Sequence, residues 1–201
     1  MVLRKLSVAA GAAVACVGVA AGQDRMPPLP PERQTEAQRQ AVEEIVQGPR
    51  GAMVGPFFPM LRSPGLLRWV QRAGAYLRYE SKLDGRLREM LILMAARHWT
   101  QQYEWNAHRD LALKAGLRPE IIAAIAEGRR PAAMAEDEEI AYNFSAELNT
   151  NRSVSDATYA RAVQKFGEPL VVDMVGLNGY YSLVAMMMNV ARTPLPPGAR
   201  P

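Results

Sequence analysis

Three ionisable side chains stand where the chain is otherwise apolar, and their spacing suits acid–base chemistry. Glu89 interrupts the run RLREMLILMAAR, and Glu104 and His108 follow in YEWNAH. On a helix that turns about 100° per residue, Glu104 and His108 are one turn apart on the stripe that also carries Leu111. A charge facing a core is costly unless it is paired, neutralised or hydrated. We therefore take these three residues as candidate catalytic groups.

An imidazole beside carboxylates is suited to proton transfer, because histidine has the unperturbed pKa nearest neutrality. Two structural interpretations stay open: Glu104 and His108 form only a buried hydrogen-bonded pair, and Glu89 only pairs with an arginine of a neighbouring helix. For a metal, two side chains at i and i+4 are too few ligands, and the HExxH pattern is missing. We expect no metal ion and no other cofactor.

These residues are predicted to lie on two consecutive helices. Asp84 is a capping residue for the first, which extends to about Trp99 and is apolar on nearly every face, so we expect it at the centre of the core. The second extends from Tyr103 to Ala115 and ends at Gly116, a residue type that favours helix C-termini.

Helical periodicity recurs along the rest of the chain, whereas alternating strands, GxGxxG and P-loop motifs are not found. Further helices are predicted at 35–47, 63–79, 119–127, 137–148, 155–166 and 169–192. The sequence therefore predicts one all-α domain over residues 35–192. Residues 23–34 are predicted to be a Pro-rich linker, and residues 193–201 a flexible tail.

Residues 1–22 have the composition of a signal peptide. Arg4 and Lys5 precede an apolar run ending at Ala21, which is short and rich in Ala and Gly for a membrane span. We expect export, to the periplasm or medium, and no stable membrane span in the mature chain. An uncleaved anchor and lipid attachment at Cys16 are the alternatives.

Cys16 is the only cysteine, so a chain cleaved near residue 22 has no disulfide and no thiolate. Cleavage also leaves 22 basic against 20 acidic residues, a net charge of +2, which argues against a nucleic-acid partner. The run 184–190 (VAMMMNV) is apolar on several faces, as subunit interfaces often are. We therefore expect a homo-oligomer.

The stretch from Gly55 to Arg192 resembles the carboxymuconolactone decarboxylase family, which shares its fold with the alkylhydroperoxidase AhpD. The resemblance depends on RLREMLIL, on YEWNAH, on the Ala-Gly-Leu that precedes a short helix, and on the later Asp-Glu and Tyr-Tyr pairs at 137–138 and 180–181. It implies an AhpD-like helical fold.

The peroxidase branch of that family has a glutamate, then CxxC, then a histidine. Glu89 and His108 match the glutamate and the histidine, but the two cysteine positions hold Gln101 and Glu104. Thiol peroxidase activity is therefore not supported by these residues. The chain departs toward the decarboxylase branch, which lacks CxxC.

The resemblance implies a small organic acid of the lactone type as substrate and a cofactor-free carboxy-lyase reaction. His108 would then donate the proton, with Glu104 or Glu89 orienting it. Arg86 or Arg97 would hold the substrate carboxylate. The full set of candidate substrate-binding residues is Arg86, Arg97, Gln101, Tyr103 and Trp105.

Two other functions stay open for this sequence. One is an AhpD-like protein that handles oxidants without thiols, and the other is a non-catalytic oligomer that binds a small molecule. Three observations separate these two functions and the carboxy-lyase. They are release of CO₂ from lactone acids, consumption of peroxide, and a pocket at Glu104 and His108.

Overall fold

The computed structural model describes residues 23–196 and 198–199, and these residues form nine α-helices without a strand. The bounds are α1 Glu36–Gln47, α2 Phe57–Met60, α3 Pro64–Ala75, α4 Gly85–His98, α5 Gln102–Lys114, α6 Pro119–Ala126, α7 Glu136–Asn151, α8 Asp156–Phe166 and α9 Glu168–Ala191. The predicted all-α class is confirmed. The predicted signal peptide, with Cys16, lies outside the described residues.

The helix starts follow from local side-chain chemistry. Thr35 and Gln38 form a reciprocal capping box at the start of α1. The Asp84 carboxylate accepts from the first backbone N–H groups of α4, and the Ser155 hydroxyl does the same at α8. These three caps confirm the predicted starts of their helices.

The third helix differs from its prediction at the C-terminal end. A continuous helix was predicted to residue 79, but α3 ends at Ala75 and continues as a π-helical turn, Tyr76–Glu80. The turn closes where the backbone N–H of Ser81 donates to the carbonyl of Tyr76 at 2.9 Å. Such wide turns recur at functional sites. Here the turn buries Leu77 in the core and brings Arg78 to the cavity described below.

Helix α4 is the central element, as its apolar sequence predicted. It packs against α5, α6, α7 and α9, and its core side chains include Met90, Ile92 and Leu93. Helix α9 is the second core helix. Among the described helices, only α9 is long and apolar enough to cross a membrane by length and composition. Its contacts with α4 place it in the protein core.

The residues before α1 follow the surface of the helical body. The backbone N–H of Arg25 donates to the carbonyl of Ala191 at 2.8 Å, at the end of α9. The guanidinium of Arg62 donates to the carbonyl of Pro27 at 2.8 Å, and Leu29 packs against the core. The segment predicted as a linker is therefore attached to the body at several points.

Candidate active site

The candidate catalytic side chains come from the two consecutive helices that the sequence predicted. Helix α4 carries Glu89, and α5 carries Glu104 and His108. The start of α5 is held by the side chain of Gln101, whose amide oxygen accepts from the backbone N–H of Tyr103 at 2.7 Å. The packing of α4 on α5 therefore decides whether the three groups meet.

The three groups form a continuous carboxylate–imidazole–carboxylate chain. Nδ1 of His108 lies 2.6 Å from Oε2 of Glu89, and Nε2 lies 3.3 Å from Oε2 of Glu104. His108 is 3 % exposed and Glu104 4 % exposed. The ring of Tyr181 packs edge-on against the imidazole, with the ring centroids 5.2 Å apart.

The two carboxylates determine the charge of the imidazole. Burial alone lowers the pKa of His108, but the hydrogen bonds and charges of Glu104 and Glu89 together outweigh burial and raise this pKa above its usual 6.5. The two carboxylates therefore keep the imidazolium form, which donates one N–H to each of them, to a higher pH than an isolated histidine would. A third group that displaces one of the two carboxylates can accept the proton from that imidazole nitrogen.

A cavity of about 150 Å³ lies against the hydrogen-bonded side chains of Glu104 and His108. Glu104 and His108 line it, whereas Glu89 lies behind them. Val54 and Ala107, which also line the cavity, are exposed, so the cavity reaches the protein surface. Glu104 and His108 are therefore a buried hydrogen-bonded pair that also lines an open cavity.

Two arginines supply positive charge to the same cavity. The Arg50 guanidinium donates to the Tyr180 hydroxyl at 3.2 Å and stacks on Phe57, while its Nε–H is buried without a partner. Burial lowers the pKa of Arg78, yet the surrounding acidic groups, Tyr181 foremost, raise it above its usual value. Among the described residues, no carboxylate lies within ion-pair distance of Arg78.

Two adjacent tyrosines of α9 complete the lining. Burial raises the pKa of Tyr180 to about 12 and raises that of Tyr181 well above its usual value. Both phenols therefore stay protonated at neutral pH and remain hydrogen-bond donors. Tyr103 lies across the cavity, and its hydroxyl accepts from the backbone N–H of Gly55 at 3.2 Å.

Two arginines that the sequence suggested for substrate binding lie elsewhere. Arg86 is held by Asp137, with N···O 2.6 Å, and by the buried Glu138. Arg97 donates from Nε to the carbonyl of Ala126 at 2.8 Å and lines surface hollows. The structure therefore does not bring Arg86 or Arg97 to Glu104 and His108.

Of the other candidate binding residues, only Tyr103 lines the cavity. Gln101 is buried, and its amide donates to Asn189 of α9 at 2.7 Å. Trp105 lies on a surface groove together with Arg109. Gln101 is the N-cap residue of α5 and not part of the helix, so helical spacing from Glu104 does not fix the direction of its side chain.

Sequence reasoning missed Arg50, Arg78 and the role of Tyr180 and Tyr181 in the cavity. Arg50 follows α1 in a loop, where no periodicity fixes the direction of a side chain. Arg78 lies in the π turn, so the α-helical spacing of α3 does not predict the direction of its side chain. The only available signal was the Tyr-Tyr pair itself, a polar-tipped pair within an apolar helix.

Metal ligation has no geometric basis in residues 23–196 and 198–199. No group of three or more His, Cys, Asp or Glu side chains there is arranged to hold an ion. The expectation of a cofactor-free site remains a prediction.

Comparisons with known proteins give a family for part of the chain and a related fold. Residues 64–144, which include Glu89, Glu104 and His108, match the carboxymuconolactone decarboxylase family. The fold is similar to the crystal structure of the alkylhydroperoxidase AhpD core of an uncharacterized peroxidase-related protein from Ralstonia eutropha JMP134. The TM-score is 0.67 at 17% identity, over 88% of this chain and 91% of that chain. The comparison with curated proteins gives no match.

Proposed function

Because this chain has the AhpD-like fold and carries a carboxymuconolactone decarboxylase family segment at residues 64–144, we propose that it is an acid–base carboxy-lyase. Its substrate is a small carboxylated compound of the lactone type. The observation that carries the proposal is the Glu89–His108–Glu104 chain beside a cavity that holds two guanidinium groups.

The charges of the cavity favour an anionic guest. Arg50 and Arg78 both line it, and among the described residues no carboxylate lies within ion-pair distance of either guanidinium. A guanidinium binds a carboxylate through two parallel N–H donors, and burial strengthens the contact. Arg50 and Arg78 thus replace Arg86 and Arg97 as the carboxylate-binding residues in this proposal.

Loss of CO₂ leaves the bonding electron pair on the substrate carbon. In a conjugated lactone that pair moves to the carbonyl oxygen, and a proton must then reach carbon. Tyr180 and Tyr181 stay protonated and supply donors for the developing oxyanion. The imidazolium of His108 supplies the proton, directly or through Glu104, and solvent returns it.

The geometry supports different roles for the two carboxylates. Glu104 lines the cavity and Glu89 does not. The shorter contact, at 2.6 Å, is to Glu89, so Glu89 fixes the orientation of the ring and keeps Nε2 directed at the cavity side. A substrate in the cavity would then contact Glu104 and not Glu89.

The decisive experiment measures CO₂ release from carboxymuconolactone by the purified protein without added cofactor. We expect turnover by the unaltered chain and a loss of at least about a hundredfold in kcat/KM for His108→Gln and Glu104→Gln. Asp110→Asn, on the solvent side of the same helix, is the matched control and should retain full activity. Circular dichroism confirms that each variant is folded.

The result that contradicts the proposal is equally specific. Equal rates for His108→Gln and the Asp110→Asn control would remove His108 from the mechanism. Peroxide consumption, with and without a reductant, is measured on the same preparation. Peroxide activity without CO₂ release would favour the thiol-free oxidant-handling alternative, and neither activity would favour a non-catalytic binding protein.

Export is a second part of the proposal. It is supported by the basic start and apolar run of residues 1–22. Intact mass of the protein recovered from the periplasm or medium tests it, with a mature chain that starts near Gln23 as the expected result. A full-length mass in the cytoplasm would overturn export, and a chain that starts at Cys16 with added lipid mass would favour the lipid-anchored alternative.

A further inference from the structure

One buried carboxylate of α9 takes no part in the site described above. Asp173 is 8 % exposed, and among the described residues no basic side chain lies within ion-pair distance of it. Its hydrogen-bond partners are two hydroxyl groups, those of Ser81 and Tyr76. A carboxylate that is buried without a cation is costly, so the position of Asp173 needs an explanation.

The two hydroxyl groups lie at the two ends of the π turn Tyr76–Glu80. The Ser81 hydroxyl donates to Oδ2 of Asp173 at 2.6 Å, and the Tyr76 hydroxyl donates to the same oxygen at 3.4 Å. The charge of Asp173 also raises the pKa of Tyr76, so this phenol remains a donor. Because the backbone N–H of Ser81 closes the turn on the carbonyl of Tyr76, Asp173 joins the first residue of the turn to the residue that ends it.

A second residue of α9 contacts the middle of the turn. A Cβ added to Gly176 would lie 3.3 Å from Cδ2 of Leu77, so the helix and the turn approach each other closely at this point. Gly176 follows Asp173 by three residues and lies on the same face of α9. The π turn is therefore held against α9 at both of its ends and at its centre.

Arg78 follows Leu77 and takes its direction from this turn. Its guanidinium lies over the ring of the adjacent Tyr79, with 5.6 Å to the ring centroid, and no carboxylate among the described residues holds it. The direction of such a side chain depends on the backbone that carries it. The contacts that fix the π turn therefore also fix the entry of Arg78 into the cavity.

The same helix carries the phenols of the cavity. Tyr180 follows Asp173 by seven residues, which is about two helical turns and about 10 Å along the axis. Tyr180 and Tyr181 line the cavity that Arg78 enters. One helix thus sets the distance between the attachment of the π turn and the hydrogen-bond donors of the site.

We propose that Asp173 is a positioning residue, which fixes the π turn through Ser81 and Tyr76 so that Arg78 points into the cavity. Asp173 does not line the cavity and acts only through Arg78. The inference rests on the part of the proposed function in which Arg78 binds a carboxylate. It does not depend on the loss of CO₂.

Binding of 2-furoate, a small ring carboxylate, tests the proposal by isothermal titration calorimetry. Ser81→Ala removes the 2.6 Å hydrogen bond with little change of shape, and we expect it to raise the Kd by about threefold to tenfold. Arg78→Gln should raise the Kd by at least as much. In the Arg78→Gln background, Ser81→Ala should have no further effect, because the hydroxyl acts through the arginine.

Ser145→Ala is the matched control. The Ser145 hydroxyl is buried and also donates at 2.6 Å to a residue of α9, Asn178, but it lies outside the cavity lining. Its removal should lower the unfolding temperature and leave the Kd for 2-furoate unchanged. Ser81→Thr keeps the hydroxyl and should keep the Kd. Asp173→Asn keeps an acceptor oxygen and should bind 2-furoate more tightly than Asp173→Leu.

Hydrogen exchange measures the turn itself without a ligand. We expect Ser81→Ala to speed amide exchange in residues 76–83 and to leave exchange in α7 unchanged. Exchange that rises equally in both segments would mean a general loss of stability, and that result would contradict a local role. In the CO₂ assay, Ser81→Ala should raise KM and leave kcat within about twofold.

Three results would overturn the inference. They are equal Kd values for Ser81→Ala and Ser145→Ala, an effect of Ser81→Ala that persists in full without Arg78, and no binding of 2-furoate by the unaltered chain. The proposed reaction fails in a different way. Coupled effects of Ser81 and Arg78 on 2-furoate binding, with no CO₂ released from carboxymuconolactone, would contradict the lyase and support the positioning role.

Discussion

Nδ1 of His108 lies 2.6 Å from Oε2 of Glu89, across the contact between two helices and nineteen residues apart in sequence. The contact exists only when α4 and α5 are packed, so folding assembles it. In the unfolded chain the imidazole loses both carboxylate partners and returns to its ordinary acidity. The site and the stability of the fold are therefore linked through one proton.

This linkage gives a pH dependence of stability. The pKa of His108 is raised in the folded protein, so its contribution to stability is fully present below about pH 6.5 and is lost as pH rises through the folded pKa. We expect the free energy of unfolding of the unaltered chain to fall over that interval relative to His108→Gln. Urea unfolding of both proteins between pH 6 and pH 9 measures the difference, and parallel curves would contradict the linkage.

The two cavity arginines should control substrate binding. Replacing Arg78 or Arg50 by Gln removes a charge that holds a carboxylate, and such contacts are worth about 1.5–3 kcal/mol. We expect KM to rise by roughly tenfold to a hundredfold for either variant. Arg97→Gln, which lies outside the cavity, is the matched control. An effect of Arg97→Gln equal to that of Arg78→Gln would contradict the assignment.

Gly74 makes room for the lining of the cavity. A Cβ at this position would collide with the hydroxyl of Tyr180 and with the guanidinium of Arg50. We expect Gly74→Ala to displace these side chains and reduce kcat/KM while the chain still folds. Gly65→Ala in the same helix meets nothing within 4 Å and should leave activity unchanged, with stability equal or slightly higher. Activity and thermal unfolding of both variants check this prediction.

Arg86 should affect stability instead of binding. Its removal leaves Glu138 buried, with only the Ala135 backbone N–H and a 3.5 Å contact to Arg118. We expect Arg86→Ala to lower the free energy of unfolding by about 3 kcal/mol. Arg86→Ala combined with Glu138→Gln should recover part of the loss, because the buried charge is then absent. A rise in KM without a loss of stability would instead support the substrate-binding role suggested by the sequence.

Periodicity and capping were enough to predict most of the helices. Asp84 and Ser155 mark helix starts through hydrogen bonds that involve only neighbouring residues, so a local pattern identifies them. The burial of Glu104 and His108 was also predictable, since a helical wheel reports which side chains share a face. Both inferences depend on interactions within one helix turn.

The lining of the cavity was beyond such reasoning because it joins segments distant in sequence. Arg50, Arg78 and Tyr180 come from a loop, a π turn and the last helix, and their convergence depends on how α3 packs on α9. The sequence instead suggested Arg86, which shares α4 with Glu89 but points to α7. Charge type alone does not distinguish an arginine that lines a cavity from one that holds two helices together.

The π turn at Tyr76–Glu80 makes the lining of the cavity sensitive to insertions and deletions in the sequence. Such a turn contains one residue more than the α-helical turn it replaces. A deletion of one residue ahead of Arg78 would restore ordinary winding and rotate the guanidinium by about 100°, away from the cavity. Loss or gain of a single codon there can therefore switch the electrostatic character of the pocket while every arginine in the chain is retained.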